Sequence, residues 1–323
     1  MATKGKRQEK APPESLAAKK GLLTRAWGGL LDLWFEPISP ARLRIFEKTF
    51  AITFIYYVAS WGLYAREWLT TDGFHFTPEV TSASYPPPMP PLPPEWLVPF
   101  MLLIFIAPTM VILGIRRRPA LMLTWLCAIY IQLVEIAAAF TLNKLYIIFF
   151  LVLLLAPDPQ KIRLKKDEEP QLRQTAWPVR IIQATLVIQY CSAGICKVVH
   201  GDWLKRVDIL YGHSAGLYRN HLATWAIHNL PNWAWGVQGV IALCFEVFAP
   251  ALFLIKKLRW VGIIVGVGMH IFIALLMKDL IFFSAQMITF YVLFLPDRFV
   301  DPVDTWVEGK LDRFLGRLRP TAP

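Results

Sequence analysis

The strongest constraint on this chain is a series of apolar runs, each near the length of a bilayer crossing, parted by short basic connections. A helix needs about 20 mostly apolar residues to cross the hydrocarbon layer. By that measure the sequence holds eight candidates, at residues 45–64, 96–115, 119–140, 142–157, 179–199, 234–255, 259–277 and 279–296. The fourth is the shortest, and its apolar core, LYIIFFLVLLLAP, also fits a re-entrant segment. With 55% hydrophobic residues and 13 tryptophans, the chain is too apolar for a soluble α/β domain. The expected fold class is an all-α integral membrane protein, a bundle of about eight transmembrane helices.

A net charge of +11 invites a nucleic-acid reading, but its distribution argues against one. The basic residues cluster in the connections, and no basic stripe with interleaved aromatics is present. If all eight runs cross and the N-terminus is cytoplasmic, 26 of the 34 Lys and Arg fall inside. Six fall outside: Arg66, Lys144, Lys205, Arg206, Arg219 and Lys278. This alternation holds only if 142–157 crosses, so both termini are expected in the cytoplasm. In a double-membrane bacterium, helical spans belong to the inner membrane.

The expected organisation is a basic, disordered cytoplasmic tail over 1–20, an interfacial amphipathic helix over 21–36, a membrane domain over 37–297 and an amphipathic cytoplasmic tail over 298–323. Residues 1–20 show no secretory signal. In 21–36, Leu22, Leu23, Ala26, Trp27, Leu30, Leu31 and Trp34 share one helical face. Val303, Trp306, Val307, Leu311, Phe314 and Leu318 do the same near the C-terminus. Each pattern fits a helix lying in the membrane interface, or a cytoplasmic helix packed on protein. Cys127, Cys191, Cys196 and Cys244 all lie in apolar stretches and read as small buried hydrophobes. Of the two long outer connections, 65–95 is proline-rich, and 200–233 holds His200, His213, His221 and His228. Their spacing matches no ligand motif, so no metal site is expected.

Ionisable groups inside spans are costly and usually face a bundle interior. The deep ones are Glu135, Glu246 and His270. At about 1.5 Å per residue, Glu135 lies about 8 Å below the outer boundary. Glu246 and His270 lie ten and eleven residues from the edges of the KKLR turn. They are therefore expected at similar depth, facing the bundle and within reach of each other. A polar cavity open to the outside would collect such groups. Three separately satisfied helix–helix contacts would also account for them. Lys197, in AGICKVVHGDW, has two readings as well: a snorkelling anchor, or a desolvated amine available as a base.

Four stretches, in order, resemble the horizontally transferred transmembrane (HTTM) domain family, which includes the membrane part of vitamin K-dependent gamma-carboxylases. They are SPARLRIFEKTFAITFIYY (39–57), LNKLYIIFFLVLLLAP (142–157), AGICKVVHGDWL (193–204) and FEVFAPALFLIKKLRWVGIIVGVGMHIFIALL (245–276), followed by MITFYVLFLP. The resemblance implies a reduced, vitamin K-like quinone as cofactor and an active site on the outer side. It places the base at Lys197, ahead of Asp202 and Trp203, and matches the family's acidic and histidine positions to Glu246 and His270. Where the family carries a histidine assisting the lysine, this chain has Asn143-Lys144. Glu135, Lys144, Asn143, Asp202 and Trp203 are the expected pocket-supporting residues. No counterpart of the carboxylase's large luminal domain follows the last span, so protein carboxylation is not implied.

Three function classes follow. The first is a quinone-dependent enzyme, carboxylase- or epoxidase-like, with an outward-facing pocket. The second is a non-catalytic accessory or maturation subunit that meets a membrane or periplasmic protein through its outer loops. The third, a transporter, lacks the internal repeat many transporters show.

Overall fold

The computed structural model describes residues 27–29, 31–75, 89–134, 141–163, 169–205 and 208–318. It is mostly helical. The basic tail, most of the first half of 21–36, and Glu135 lie outside the described residues.

Helix α1 (Ala41–Trp61) places Leu43, Phe46, Phe50, Phe54 and Val58 at helical spacing on one buried stripe. After a short α2 (Ala65–Leu69) comes α3 (Leu97–Ile112), extended at its start by a 3-10 turn over Pro94–Trp96. Pro108 inside α3 has no N–H to donate. The Thr109 hydroxyl donates to the Phe105 carbonyl one turn back, at 2.7 Å, supplying local polar bonding at that point. The turn into α4 (Arg117–Val134) passes through Gly114 at φ 69 and Arg116 at φ 44. Helices α5 (Thr141–Leu155) and α6 (Trp177–His200) follow. Two short helices, α7 (Ile209–Ala215) and α8 (His221–Asn229), build the 200–233 connection. Helix α9 (Asn232–Val247) breaks at Phe248, just before Pro250, and resumes as α10 (Ala249–Leu254). The bundle closes with α11 (Arg259–Leu276) and α12 (Ile281–Thr289), the latter continued by a 3-10 turn to Phe294. Helix α13 (Asp297–Leu318) lies against α1.

Among the described residues, three helical segments are long and apolar enough to cross a membrane: Pro94–Ile112, Trp177–His200 and Arg259–Leu276. Thr141–Leu155 and Ile281–Phe294 are apolar but shorter. The core is aromatic. Phe46, Phe50 and Phe54 of α1 meet Tyr146, Phe149 and Phe150 of α5, with Phe290 against them, in tilted and edge-to-face contacts at 4.9–6.4 Å. Such shape-matched packing is what holds helices together where lipid removes the hydrophobic drive.

The segments expected inside gather at one end. Strand β1 (Pro37–Ile38) and strand β2 (Gln160–Ile162) both pair antiparallel with β3 (Gln171–Thr175). Arg117 chelates Glu47 and also reaches Asp158, and Arg180 pairs with Glu36. Arg42, Arg44 and Lys48 bind Asp297, Asp304 and Glu308 of α13. Burial pushes the Asp304 carboxyl up, and Arg44 pulls it partly back. The opposite end is joined by isolated bridges, Thr70 to Leu92 and Arg219 to Met277.

The cysteines depart from expectation. All four are free, but only Cys127 is buried, while Cys196 and Cys244 are exposed on the outer surface of the bundle. An apolar neighbourhood in sequence does not distinguish a core-facing residue from one facing lipid.

Candidate functional site

The site is built where α6 crosses α9. On α6, Tyr190, Gly194 and Lys197 follow at i, i+4 and i+7, one face of a helix. Gly194 has no side chain to hold the helices apart. A Cβ there would stand 2.7 Å from the Val247 nitrogen and 2.9 Å from the Glu246 carbonyl carbon. That close crossing brings the Lys197 amine onto both carboxylate oxygens of Glu246. The Trp203 ring lies under the same amine, 5.0 Å from its centroid. Carboxylate and indole together hold the amine in place.

A second polar cluster sits on the same face of α6. The Tyr190 hydroxyl is 2.7 Å from His270 Nε2 and 2.9 Å from the Tyr291 hydroxyl. Gly266, one turn before His270, makes room for Tyr291, whose hydroxyl would otherwise lie 2.1 Å from a Cβ. His270 is buried, and its Nδ1 has no hydrogen-bond partner among the described residues.

Both clusters border one cavity of roughly 1480 Å³. It is lined by Tyr57, Trp61 and Trp68 near the α1–α2 junction and by Tyr218, Lys278 and Asp279 beyond α7 and α11. Its walls are mostly apolar, and Lys197, Glu246, Tyr190 and His270 are among the polar groups on them. Such a chamber suits a large amphipathic molecule, since it exceeds the usual small-ligand range of about 300–1,000 Å³.

The expected site residues divide. Lys197, Glu246, His270 and Trp203 all border the cavity. Glu246 and His270 face the bundle, yet each takes its own partner: Glu246 bonds Lys197 and His270 bonds Tyr190. Asn143 is buried beside α1, bonding the Tyr57 side chain. Lys144 and Asp202 do not support the pocket. Both are exposed and neither borders the cavity, because the turn of α5 that buries Asn143 points Lys144 outward. Tyr190 and Tyr291 were not anticipated. The spacing Tyr190-Gly194-Lys197 was the readable signal for the first; Tyr291, in an apolar run, had none.

A helical bundle with membrane-length apolar helices and a polar-ended internal cavity defines a class of protein rather than a reaction. The HTTM domain family model matches residues 35–298, most of the chain, and the protein belongs to that family. No curated protein and no solved structure matches it significantly.

Proposed function

We propose that the protein is an eight-span enzyme of the inner (cytoplasmic) membrane of a bacterium, with both termini cytoplasmic, that takes a reduced quinone into the outward-facing cavity. The observation that carries this reading is the cavity itself: apolar walls long enough for a lipid-soluble ring and tail, with proton-handling groups at its reactive end. When bound, a reduced quinone supplies reduction of oxygen coupled to its own epoxidation. The residues fit such a group. The unpartnered His270 Nδ1 offers a site for a ring oxygen, and the Lys197–Glu246 pair offers a charged acceptor.

The ion pair refines the roles that the resemblance implies. Lys197 Nζ donates to both carboxylate oxygens of Glu246, so the pair, and not the amine by itself, is the proton-handling unit. Within that pair Glu246 would be the acceptor, taking a quinol proton at Oε, and Lys197 would hold the carboxylate in position for it. Tyr190 holds His270 in one ring orientation, as a second hydrogen bond to imidazole does at many sites.

The test uses purified protein in lipid nanodiscs with chemically reduced menaquinone under air. Expected are epoxide formation and oxygen uptake that vanish in Glu246→Gln. Neither product nor binding of the oxidised quinone in the wild-type protein would sink the enzyme reading. The accessory reading would then lead, because the same ion pair serves equally as a latch between α6 and α9.

Topology is checked separately. On a cysteine-free background, single cysteines at Thr71 and Asn229, both exposed, should react with an impermeant maleimide in intact spheroplasts. A cysteine at Lys310 should react only after lysis. The reverse pattern would invert the orientation, and mixed labelling would break the eight-span count.

A further inference from the structure

Helix α13 presents three chemically distinct faces. Asp297, Asp301, Asp304 and Glu308 recur at helical spacing and form an acidic stripe. Each bonds the start of the bundle: Asp297 to Arg42 at 2.7 Å, Asp301 to Ser39 at 2.7 Å, Asp304 to Arg44 at 3.2 Å and Glu308 to Lys48 at 2.9 Å. The polar face of this amphipathic helix is thus the one turned to protein.

The apolar face is turned away. Phe299, Val303, Trp306 and Phe314 are 47%, 48%, 63% and 50% exposed. Cations flank them: Arg298 stands 4.8 Å over the Phe299 ring and Lys310 stands 5.7 Å over Trp306. The stripe joins the outer surface of the bundle, since Phe299 meets Trp260 of α11 edge-on at 5.6 Å. From Trp260 the exposed apolar surface continues through Val261 and Ile264 along a helix of membrane-spanning length. A third face, with Thr305 and Asp312, is polar and exposed.

We infer that α13 is a lipid-reading helix, docked by its acidic stripe onto α1 so that its aromatic stripe enters the cytoplasmic leaflet and Lys310 and Arg313 meet anionic phospholipid headgroups. Continuity with the apolar surface of α11 selects the bilayer as the occupant, and the cations beside the aromatics select its anionic interface. Interfacial helices combine these two contributions, apolar burial and attraction to acidic lipid. The charged ladder fixes the rotation of the helix about its axis, so the embedded face does not depend on hydrophobicity alone. This inference shares only membrane residence with the quinone reading and survives its failure.

The experiment uses the full chain with a nitroxide at Val303 or, as the water-facing control, at Thr305. Nanodiscs contain either phosphatidylcholine alone or phosphatidylcholine with phosphatidylglycerol. In the mixed discs the Val303 label should be roughly threefold less accessible to a nickel chelate than the Thr305 label, and more accessible to oxygen. Lys310→Glu with Arg313→Glu, both on exposed positions, should remove the dependence on phosphatidylglycerol. Equal chelate access at the two positions in bilayers would overturn the inference. So would protection at Val303 that tracks protein rather than lipid concentration, which marks a second copy as the occupant. Protection indifferent to phosphatidylglycerol and to the double charge reversal would overturn the headgroup assignment.

Discussion

Glu246→Ala should lower the unfolding free energy of the detergent-purified protein by about 1–3 kcal/mol, the usual result of leaving one partner of a part-buried bond unsatisfied. The magnitude follows from placement. Glu246 is buried, and both of its carboxylate oxygens are taken by a lysine on another helix. Removing the acid leaves the Lys197 amine without the carboxylate that holds it, beside the Trp203 ring. The double variant Lys197→Met, Glu246→Leu should recover most of the lost stability, because two apolar side chains of similar volume replace the pair without stranding a charge. It should recover no quinone turnover. Thermal unfolding separates the variants, and a double variant no more stable than Glu246→Ala would show that the pair is not what the single substitution breaks.

The same pair decides which atom handles the proton. With Glu246 as acceptor, Glu246→Gln abolishes turnover, whereas Lys197→Arg keeps a substantial part of it, since guanidinium supplies the same charge permanently. Activity retained in Glu246→Gln and lost in Lys197→Arg would return the role of base to the amine.

Gly194→Leu should be as damaging as losing the ion pair, without touching a charged group. Even the first carbon of the new side chain falls on α9 backbone, 2.7 Å from the Val247 nitrogen. Backbone cannot rotate aside as a flexible side chain can, so α6 and α9 must separate. Overpacking of this kind costs typically about 1–3 kcal/mol, and the separation pulls Lys197 from Glu246, three residues along the same face. Gly194→Ala should show the smaller version of both effects. Gly239→Ala on α9 is the control, since the nearest atom to its new Cβ is a leucine methyl at 4.0 Å. Equal thermal stability of Gly194→Ala and Gly239→Ala would rule out the close crossing.

Periodicity and length made the helices legible, and the resemblance located Lys197, Glu246 and His270. Hidden from the sequence was which helices are neighbours. Counting from the KKLR turn put Glu246 and His270 at similar depth, but depth along a helix says nothing of azimuth. Glu246 turns to α6 and meets Lys197, while His270 meets Tyr190 about two turns earlier along α6. Lys144 shows the opposite error. It sits in the right stretch, but one residue of helical rotation, 100°, carries it from the buried face of Asn143 to the exposed one. Helix α13 was half legible. Its apolar stripe was readable as interfacial or as protein-packed, and the acidic stripe between allows both, on different faces.

The small sheet has a mechanical consequence. Strand β3 hydrogen-bonds to the entry of α1 on one side and to the α5–α6 connection on the other, and α13 is riveted to α1 by charge. These fastenings all lie at one end of the bundle, opposite the Thr70–Leu92 and Arg219–Met277 bridges. If a bulky guest enters the cavity, the end away from the sheet is where the bundle is expected to yield. Amide exchange should accordingly be slow in Gln171–Thr175 and fast around Tyr218 and Lys278, with a guest slowing only the latter.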